Sequence, residues 1–466
     1  MTTDHPAQNL GARLDRLPWS RRHTVILLAL GAGWLFDSFE VQVFSSAVGP
    51  LGDSFRASVF ARDAVLAVWL VGILLGALVG GRLTDRFGRR RLFVLTLLWY
   101  SGFTVLTGFA PGLGWVYALR FLAALGVGAE YAIINAAIAE FMPARVRGRA
   151  NAVVMNFWPA GAVLAALMAY LLINQTALSV GLSWRAMFVV GGLVALVVLL
   201  FRRRIPESPR WLAARGRTAD AEAVVAELER AAESPAGTGL GTEPAQPRLG
   251  AALRELLRHY PGRLALGAAL DLAEAFGYYG LFALLSVVVL PHVHISQGQI
   301  PFFYIIGNLG ALAGGLLMSA YLDRLGRHRT VIISYTGAAA GVGLLAAATA
   351  TGSAAWVTIA FVVANGFGTA AWTAAYPTFT ELFPTHLRGA GVGASVAVGR
   401  IGAIVGTLLL PSLATAVGAT ASYALVVGFW LAGVAAMAVF ARAGGPEAAR
   451  RPLEALIPDR AAAATA

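Results

Sequence analysis

The chain has 466 residues, 58% of them hydrophobic and only 13% charged, with a mean hydropathy of +0.69. Soluble domains carry about 25% charged residues, so a soluble globular protein is excluded and a polytopic membrane protein is expected. The lack of cysteine excludes disulfides, iron–sulfur clusters and thiolate catalysis. The net charge of +12 does not point to nucleic acid, because most of the 36 basic residues, all Arg, fall in loops on one side of the membrane.

Met1 to Arg22 is polar and basic, and the apolar run after it is too long for the core of a signal peptide. The first span is therefore expected to remain in the mature protein. Twelve apolar runs can be read, near 24–50, 63–82, 92–110, 115–140, 150–173, 184–201, 263–290, 299–322, 330–350, 354–382, 389–417 and 420–441. The expected organisation is an amino tail (1–23), a six-helix bundle (24–201), a central loop (202–262), a second six-helix bundle (263–441) and a carboxyl tail (442–466). The loops on the side of the termini hold 31 Arg, whereas the opposite loops hold three: Arg56, Arg62 and Arg185. By the positive-inside rule both termini and the central loop are cytoplasmic, in a bacterial inner or plasma membrane. Trp115 and Trp184, at span ends, read as interfacial belt residues.

Span 1 carries Asp37 and Glu40, three residues apart and so on one helix face. Asp37 lies about 20 Å into the span, within the hydrocarbon region. A charged residue at that depth costs about 2.5–3.5 kcal/mol, so this face must look into protein or water and find a cation or a proton. Arg120, in span 4, lies at a similar depth. Protonation of Asp37 would release Arg120, giving a proton-controlled latch; the alternative is a static ion pair. Glu40 and Glu130 form a second acidic pair, able to carry a proton or orient a polar substrate, or else buried as neutral acids.

Span 5 and the second half add further candidates. Asp271 and Glu274 in span 7 repeat the span 1 arrangement, and Arg400 lies near mid-depth in span 11. Arg400 can grip a carboxylate bidentately or pair internally with Asp271 or Glu274. Asn156, Trp158, Tyr278, Tyr279, Asn308, Trp372 and Tyr376 supply aromatic walls and amides suited to a small-molecule site. His292 and His294 read as loop residues, not a metal site, and no catalytic constellation or cofactor motif is present. In the central loop, Ala219 to Ala232 reads as an amphipathic helix and Ser234 to Pro247 as a linker.

The halves echo one another. Gly81-Arg82-Leu83-Thr84-Asp85-Arg86-Phe87-Gly88-Arg89 after span 2 matches Asp323-Arg324-Leu325-Gly326-Arg327 after span 8, with 323 − 85 = 238. Glu140 with Arg147 matches Glu381 with Arg388, with 381 − 140 = 241, and Asp37 matches Asp271, with 271 − 37 = 234. Three paired motifs at nearly one offset indicate parallel six-span repeats. Ser319 stands where the first half has Gly81, a departure expected to loosen helix packing there.

On these motifs the chain resembles the major facilitator superfamily over essentially its whole length. Ile205-Pro206-Glu207-Ser208-Pro209-Arg210 is similar to the sugar-porter branch and its organic-ion relatives. Arg120-Phe121-Leu122 with Gly126-Val127-Gly128-Ala129-Glu130, and Gly399-Arg400-Ile401-Gly402, resemble the branch of niacin, aromatic-acid and other metabolite:proton symporters. The resemblance implies an all-α, twelve-helix fold in two pseudo-symmetric bundles, with substrate between them. It implies proton coupling at Asp37 and Arg120. It also implies a cytoplasmic gate from Gly81, Asp85, Arg86, Gly88, Arg89, Glu140, Arg147 and Glu207, with Asp323, Arg327, Glu381 and Arg388 in the second half. The expected function is alternating-access uptake of a small organic solute with protons, most simply an organic or aromatic acid, by a monomer in the lipid bilayer that uses no cofactor. A sugar or organic cation is the alternative substrate, and a non-transporting nutrient sensor the alternative of another class.

Overall fold

A computed structural model describes residues 10–175, 178–202, 205–233, 249–296, 299–384, 387–451 and 456; the linker at 234–247 and the side chains of Gly81 and Asp85 lie outside that description. In chain order the helices are α1 (Leu10–Arg16), α2 (Arg21–Ser54), α3 (Val59–Phe87), α4 (Arg89–Thr107), α5 (Leu113–Phe141), α6 (Arg147–Met155), α7 (Phe157–Ala169), α8 (Val180–Arg202), α9 (Pro209–Ala214) and α10 (Thr218–Ala231). They continue with α11 (Leu249–His259), α12 (Pro261–Leu284), α13 (Leu290–His292), α14 (Ile300–Leu325), α15 (Arg327–Ala350), α16 (Ala354–Leu382), α17 (Arg388–Val417) and α18 (Ala419–Arg442). Short π-helical stretches, Tyr170–Gln175 and Leu285–Val289, extend α7 and α12. Among the described residues nine helices are long and apolar enough to cross a membrane; α6 with α7 makes one of them.

Local chemistry sets the helix ends. The Ser20 hydroxyl accepts from the His23 N–H at 3.5 Å while His23 Nδ1 accepts from the Ser20 N–H at 3.2 Å, a reciprocal cap at the start of α2. The Ser58 and Ser208 hydroxyls accept from the Ala61 and Trp211 N–H groups at the starts of α3 and α9, and Pro209 follows Ser208 at the first helical position.

The packing repeats itself with the chain. In the first half α2 packs on α7 and α8, α3 on α5, and α4 on α5 and α8. In the second half α12 packs on α17 and α18, α14 on α16, and α15 on α16 and α18. The halves meet along α3 with α17 and along α14 with α6 and α7, again a symmetric pair. Twelve transmembrane helices in two pseudo-symmetric six-helix bundles, as the resemblance implied, account for this pattern.

On the arginine-rich face α1 folds back on the central loop. Leu10, Leu14 and Leu17 are buried, and Arg13 is held by Glu229 at 2.9 and 3.0 Å and by Glu222 at 2.8 Å. The halves are bonded across this face as well. The Arg149 N–H donates to Asp323 Oδ2 at 3.1 Å, and Asn156 Nδ2 donates to Ser319 Oγ at 2.8 Å. Ser319 thus contributes a bond between the halves, where the sequence comparison suggested only a looser contact. Of the two expected belt residues, Trp184 is buried against Phe55 and Phe188, and Trp115 is largely exposed.

Candidate functional site

The acids of α2 find their cations in an order the sequence did not show. Arg120 of α5 pairs with Glu40, Nη1 to Oε1 at 2.8 Å, and the Thr104 hydroxyl of α4 donates to the same oxygen. The Arg120 guanidinium also lies over the rings of Phe44 and Phe188. The latch partner of Arg120 in this structure is therefore Glu40, not Asp37. A helical side chain three residues on points some 60° away, enough to decide which carboxylate the guanidinium reaches.

Glu130 pairs with Arg202, a residue that reads from sequence as the first of a cytoplasmic Arg run. Arg202 is wholly buried instead. Its Nη1 donates to Glu130 Oε2 at 2.9 Å and to the Phe93 carbonyl at 2.8 Å, its Nη2 meets Glu130 Oε1, and Nη2 lies 3.3 Å from the Tyr100 hydroxyl. This pair presses on α2 at Gly33, where an added Cβ would lie 2.7 Å from Glu130 Oε1 and 2.8 Å from Arg202 Nη2. Asp37 is one turn from Gly33 and one turn from Glu40. It is fully buried beside the Tyr100 hydroxyl, and among the described residues neither of its oxygens makes a well-formed hydrogen bond. A bare carboxylate there is costly; a carboxyl that carries a proton is not.

The second half is arranged differently. Arg400 of α17 lies at the interface of the halves, wholly buried. Its guanidinium sits over Tyr131 of α5 at 5.5 Å, Tyr279 of α12 at 5.2 Å and Trp372 of α16 at 5.6 Å. It donates to the Tyr279 hydroxyl at 3.1 Å, but Nη2 stands 3.7 Å from Asp271 Oδ2, and Nε and Nη2 lack a hydrogen-bond partner among the described residues. Glu274 is bonded by the Tyr335 hydroxyl at 2.9 Å. Around Arg400 an aromatic cluster crosses between the halves. Trp34 contacts Tyr131, Trp158 and Tyr376; Trp158 and Trp372 face each other nearly parallel at 6.4 Å; Trp372 also meets Tyr278 and stacks on Tyr376. Asn156 and Asn308 stand apart from this cluster. Asn156 bonds across to α14, and the Asn308 amide donates to its own helix at Tyr304.

At the arginine-rich rim the two halves carry the same device. Arg89 clamps Glu140 at 2.7 and 3.1 Å, and Arg327 clamps Glu381 at 2.8 and 3.0 Å. Gly88 (φ +89°) and Gly326 (φ +86°) turn the chain into α4 and α15 at angles that L side chains rarely adopt. Glu207 then accepts from the Arg89 N–H at 2.7 Å, and Glu447 from the Arg327 and His328 N–H groups at 2.8 and 3.2 Å. Each carboxylate caps a helix N-terminus. Burial pushes the Glu447 carboxyl up, but the backbone donors of Arg327, Ala449 and His328 hold it below its ordinary value of 4.5. Arg147 donates to Asp15 at 2.7 Å and to the Met142 carbonyl, and Arg388 donates to the Thr380 and Phe383 carbonyls. Asp323 bonds Arg327 at 2.9 Å, and the exposed Arg86 accepts through its carbonyl from Arg215. Asp85 and Gly81 fall outside the described side chains.

Trp34, Tyr131, Arg202, Tyr335 and Glu447 join these clusters without having been singled out from sequence. One signal was available: Pro446-Glu447 repeats Pro206-Glu207 at 447 − 207 = 240, the offset of the other paired motifs.

Residues 36–457 match the family described as sugar (and other) transporter. The chain is 30% identical over 419 residues to the niacin transporter NiaP of Acinetobacter baylyi, covering 88% of this chain and 91% of that one. It is 29% identical over 405 residues to the "Probable 4-methylmuconolactone transporter" of Cupriavidus pinatubonensis, covering 83% and 84%. Its fold is similar to that of the proton:xylose symporter XylE bound to 6-bromo-6-deoxy-D-glucose, with a TM-score of 0.77 at 21% identity over 93% of this chain and 98% of the other. Repeated bundles, a buried charged and aromatic centre between them, and these matches lead to one assignment: this chain is a multi-pass transporter of the sugar (and other) transporter family within the major facilitator superfamily, and not an enzyme.

Proposed function

We propose that the protein takes up a small organic acid with a planar ring, together with protons. The observation that supports this reading is Arg400: a buried guanidinium between the halves, with two nitrogens that make no hydrogen bond among the described residues and aromatic faces on its sides. A carboxylate suits those nitrogens, and Trp158 and Trp372 offer flat surfaces to a ring. Niacin, named for one relative, has this chemistry. Asp37 is the proton site of the first half, set between the Glu40–Arg120 and Glu130–Arg202 pairs. The clamps at Arg89 and Arg327 close the cytoplasmic side, and both termini are cytoplasmic. Thermal-shift titration of the purified protein with aromatic carboxylates, sugars and amines tests the reading. Stabilisation by carboxylates alone supports it, and stabilisation by sugars or amines with no response to carboxylates overturns it.

A further inference from the structure

Buried acid–arginine pairs are hydrogen-bonded elsewhere in the bundles: Glu40 to Arg120, Glu130 to Arg202, Glu140 to Arg89 and Glu381 to Arg327. Asp271 and Arg400 are not. Their nearest approach is 3.7 Å, and by geometry neither Asp271 oxygen and only one of the three Arg400 nitrogens makes a well-formed hydrogen bond among the described residues. The backbone holds them together nonetheless, since Gly399, next to Arg400, lies so close to the Asp271 carboxylate that no Cβ fits between them. The second half also has one acid too many, with Asp271 and Glu274 against a single guanidinium, all fully buried.

Resting on the reading that Arg400 holds the substrate carboxylate, we propose that Asp271 is a proton site linked to the substrate at that same guanidinium. The incoming carboxylate takes Nε and Nη2 of Arg400. Asp271 loses its cation and takes one proton from the water that admitted the anion. One negative charge and one proton enter together, so the cluster's net charge is unchanged. On release the anion leaves, the proton returns to water, and Asp271 faces Arg400 again. A buried carboxylate stripped of its cation is several kcal/mol less favourable than its protonated form, so the loaded cavity closes only with the proton aboard. The groups facing Asp271 are Glu274 on its own helix, Tyr376 from α16 and Arg400 from α17. Tyr335 from α15 faces Glu274, and Tyr131 of the first half faces Arg400. Glu274 already accepts a bond from the Tyr335 hydroxyl and Asp271 has Arg400 as its nearest cation, so the proton that follows the anion goes to Asp271. Linkage of proton and substrate is then local to α12 and α17 and additional to Asp37.

The test uses the full purified chain, titrated with nicotinate and with benzoate in weak buffer near about pH 7 with a pH-indicator dye. Affinity is also measured between about pH 6 and 8, where both probes stay ionised. About one proton should be taken up per anion bound, and affinity should tighten about tenfold for each pH unit lowered. Asp271→Asn should still bind the anion but lose both the proton uptake and the pH slope; Asp271→Ser repeats the test if the amide variant does not fold. Binding without proton uptake in the wild type, or with uptake intact in the Asp271 variants, overturns the assignment and leaves the proposed function standing. Failure of both carboxylates to bind overturns the proposed function and this inference with it.

Discussion

In the first half, Glu40 is closed by Arg120 and Thr104, and Glu130 is gripped by Arg202, leaving Asp37 between them without a charged partner among the described residues. In the second half the same Asp-x-x-Glu pair meets one guanidinium that barely touches Asp271 and is wrapped by rings. The Asp-x-x-Glu pair is repeated, and Arg202 falls on Arg442 at the offset of 240, but Glu130, Arg120 and Arg400 have no counterpart. At the repeat offset of 241, Arg120 corresponds to Phe361 and Arg400 to Pro159. Symmetric duplication supplied two acidic faces, and unsymmetric placement of arginine divided the work. Tight pairs hold α2, α5 and α8 together, whereas Arg400 is bonded only to the Tyr279 hydroxyl among the described residues and stands 3.7 Å from Asp271.

That division can be broken. The largest effect is expected from Asp37→Asn, which should abolish proton-driven accumulation in proteoliposomes while counterflow exchange persists; accumulation that survives would move the first half's proton elsewhere. Next is Arg202→Ala, which strands Glu130 in the bundle and should cost about 3–5 kcal/mol of stability. Much of that should return in the double variant with Glu130→Gln, read by thermal unfolding; no recovery would mean that the pair does not hold the first half. Arg400→Lys keeps the charge but loses the fork, and should weaken carboxylate binding about 10–100-fold with little change in melting temperature. A large stability loss with normal binding would make Arg400 a structural residue like Arg202.

Smaller effects sharpen the comparison at the rim, where the halves remain alike. Glu207→Gln and Glu447→Gln should each cost about 1 kcal/mol, by similar amounts, through the weakened caps on α4 and α15. Because Glu447 titrates below its ordinary value when folded, its contribution is present above about pH 4.5 and is lost as the pH falls. The melting-temperature gap between wild type and Glu447→Gln should therefore close in acid.

The spans and the repeat were legible because length, hydropathy and motif offsets are properties of the chain itself. Pairing was not, since it depends on helix rotation and on the reach of long side chains. Asp37 and Glu40 are three residues apart, and only packing decides which meets Arg120. Arg202 looked like a loop residue because it begins an Arg run, yet its long side chain turns back into the bundle. The aromatic cluster was half legible. Trp158, Tyr278, Trp372 and Tyr376 stood out as polar-tipped rings in inner spans, whereas Trp34 and Tyr131 contribute through a meeting of the two halves that no local pattern encodes.

The Glu447 contact has a practical corollary. Residues past the last span are usually treated as free real estate for tags and trimming, yet α15 borrows its first-turn acceptor from there. A chain shortened ahead of Gly445, or a reporter joined at that point, would remove that acceptor. Turnover measured on such a variant would describe a transporter with one rim altered and the other intact.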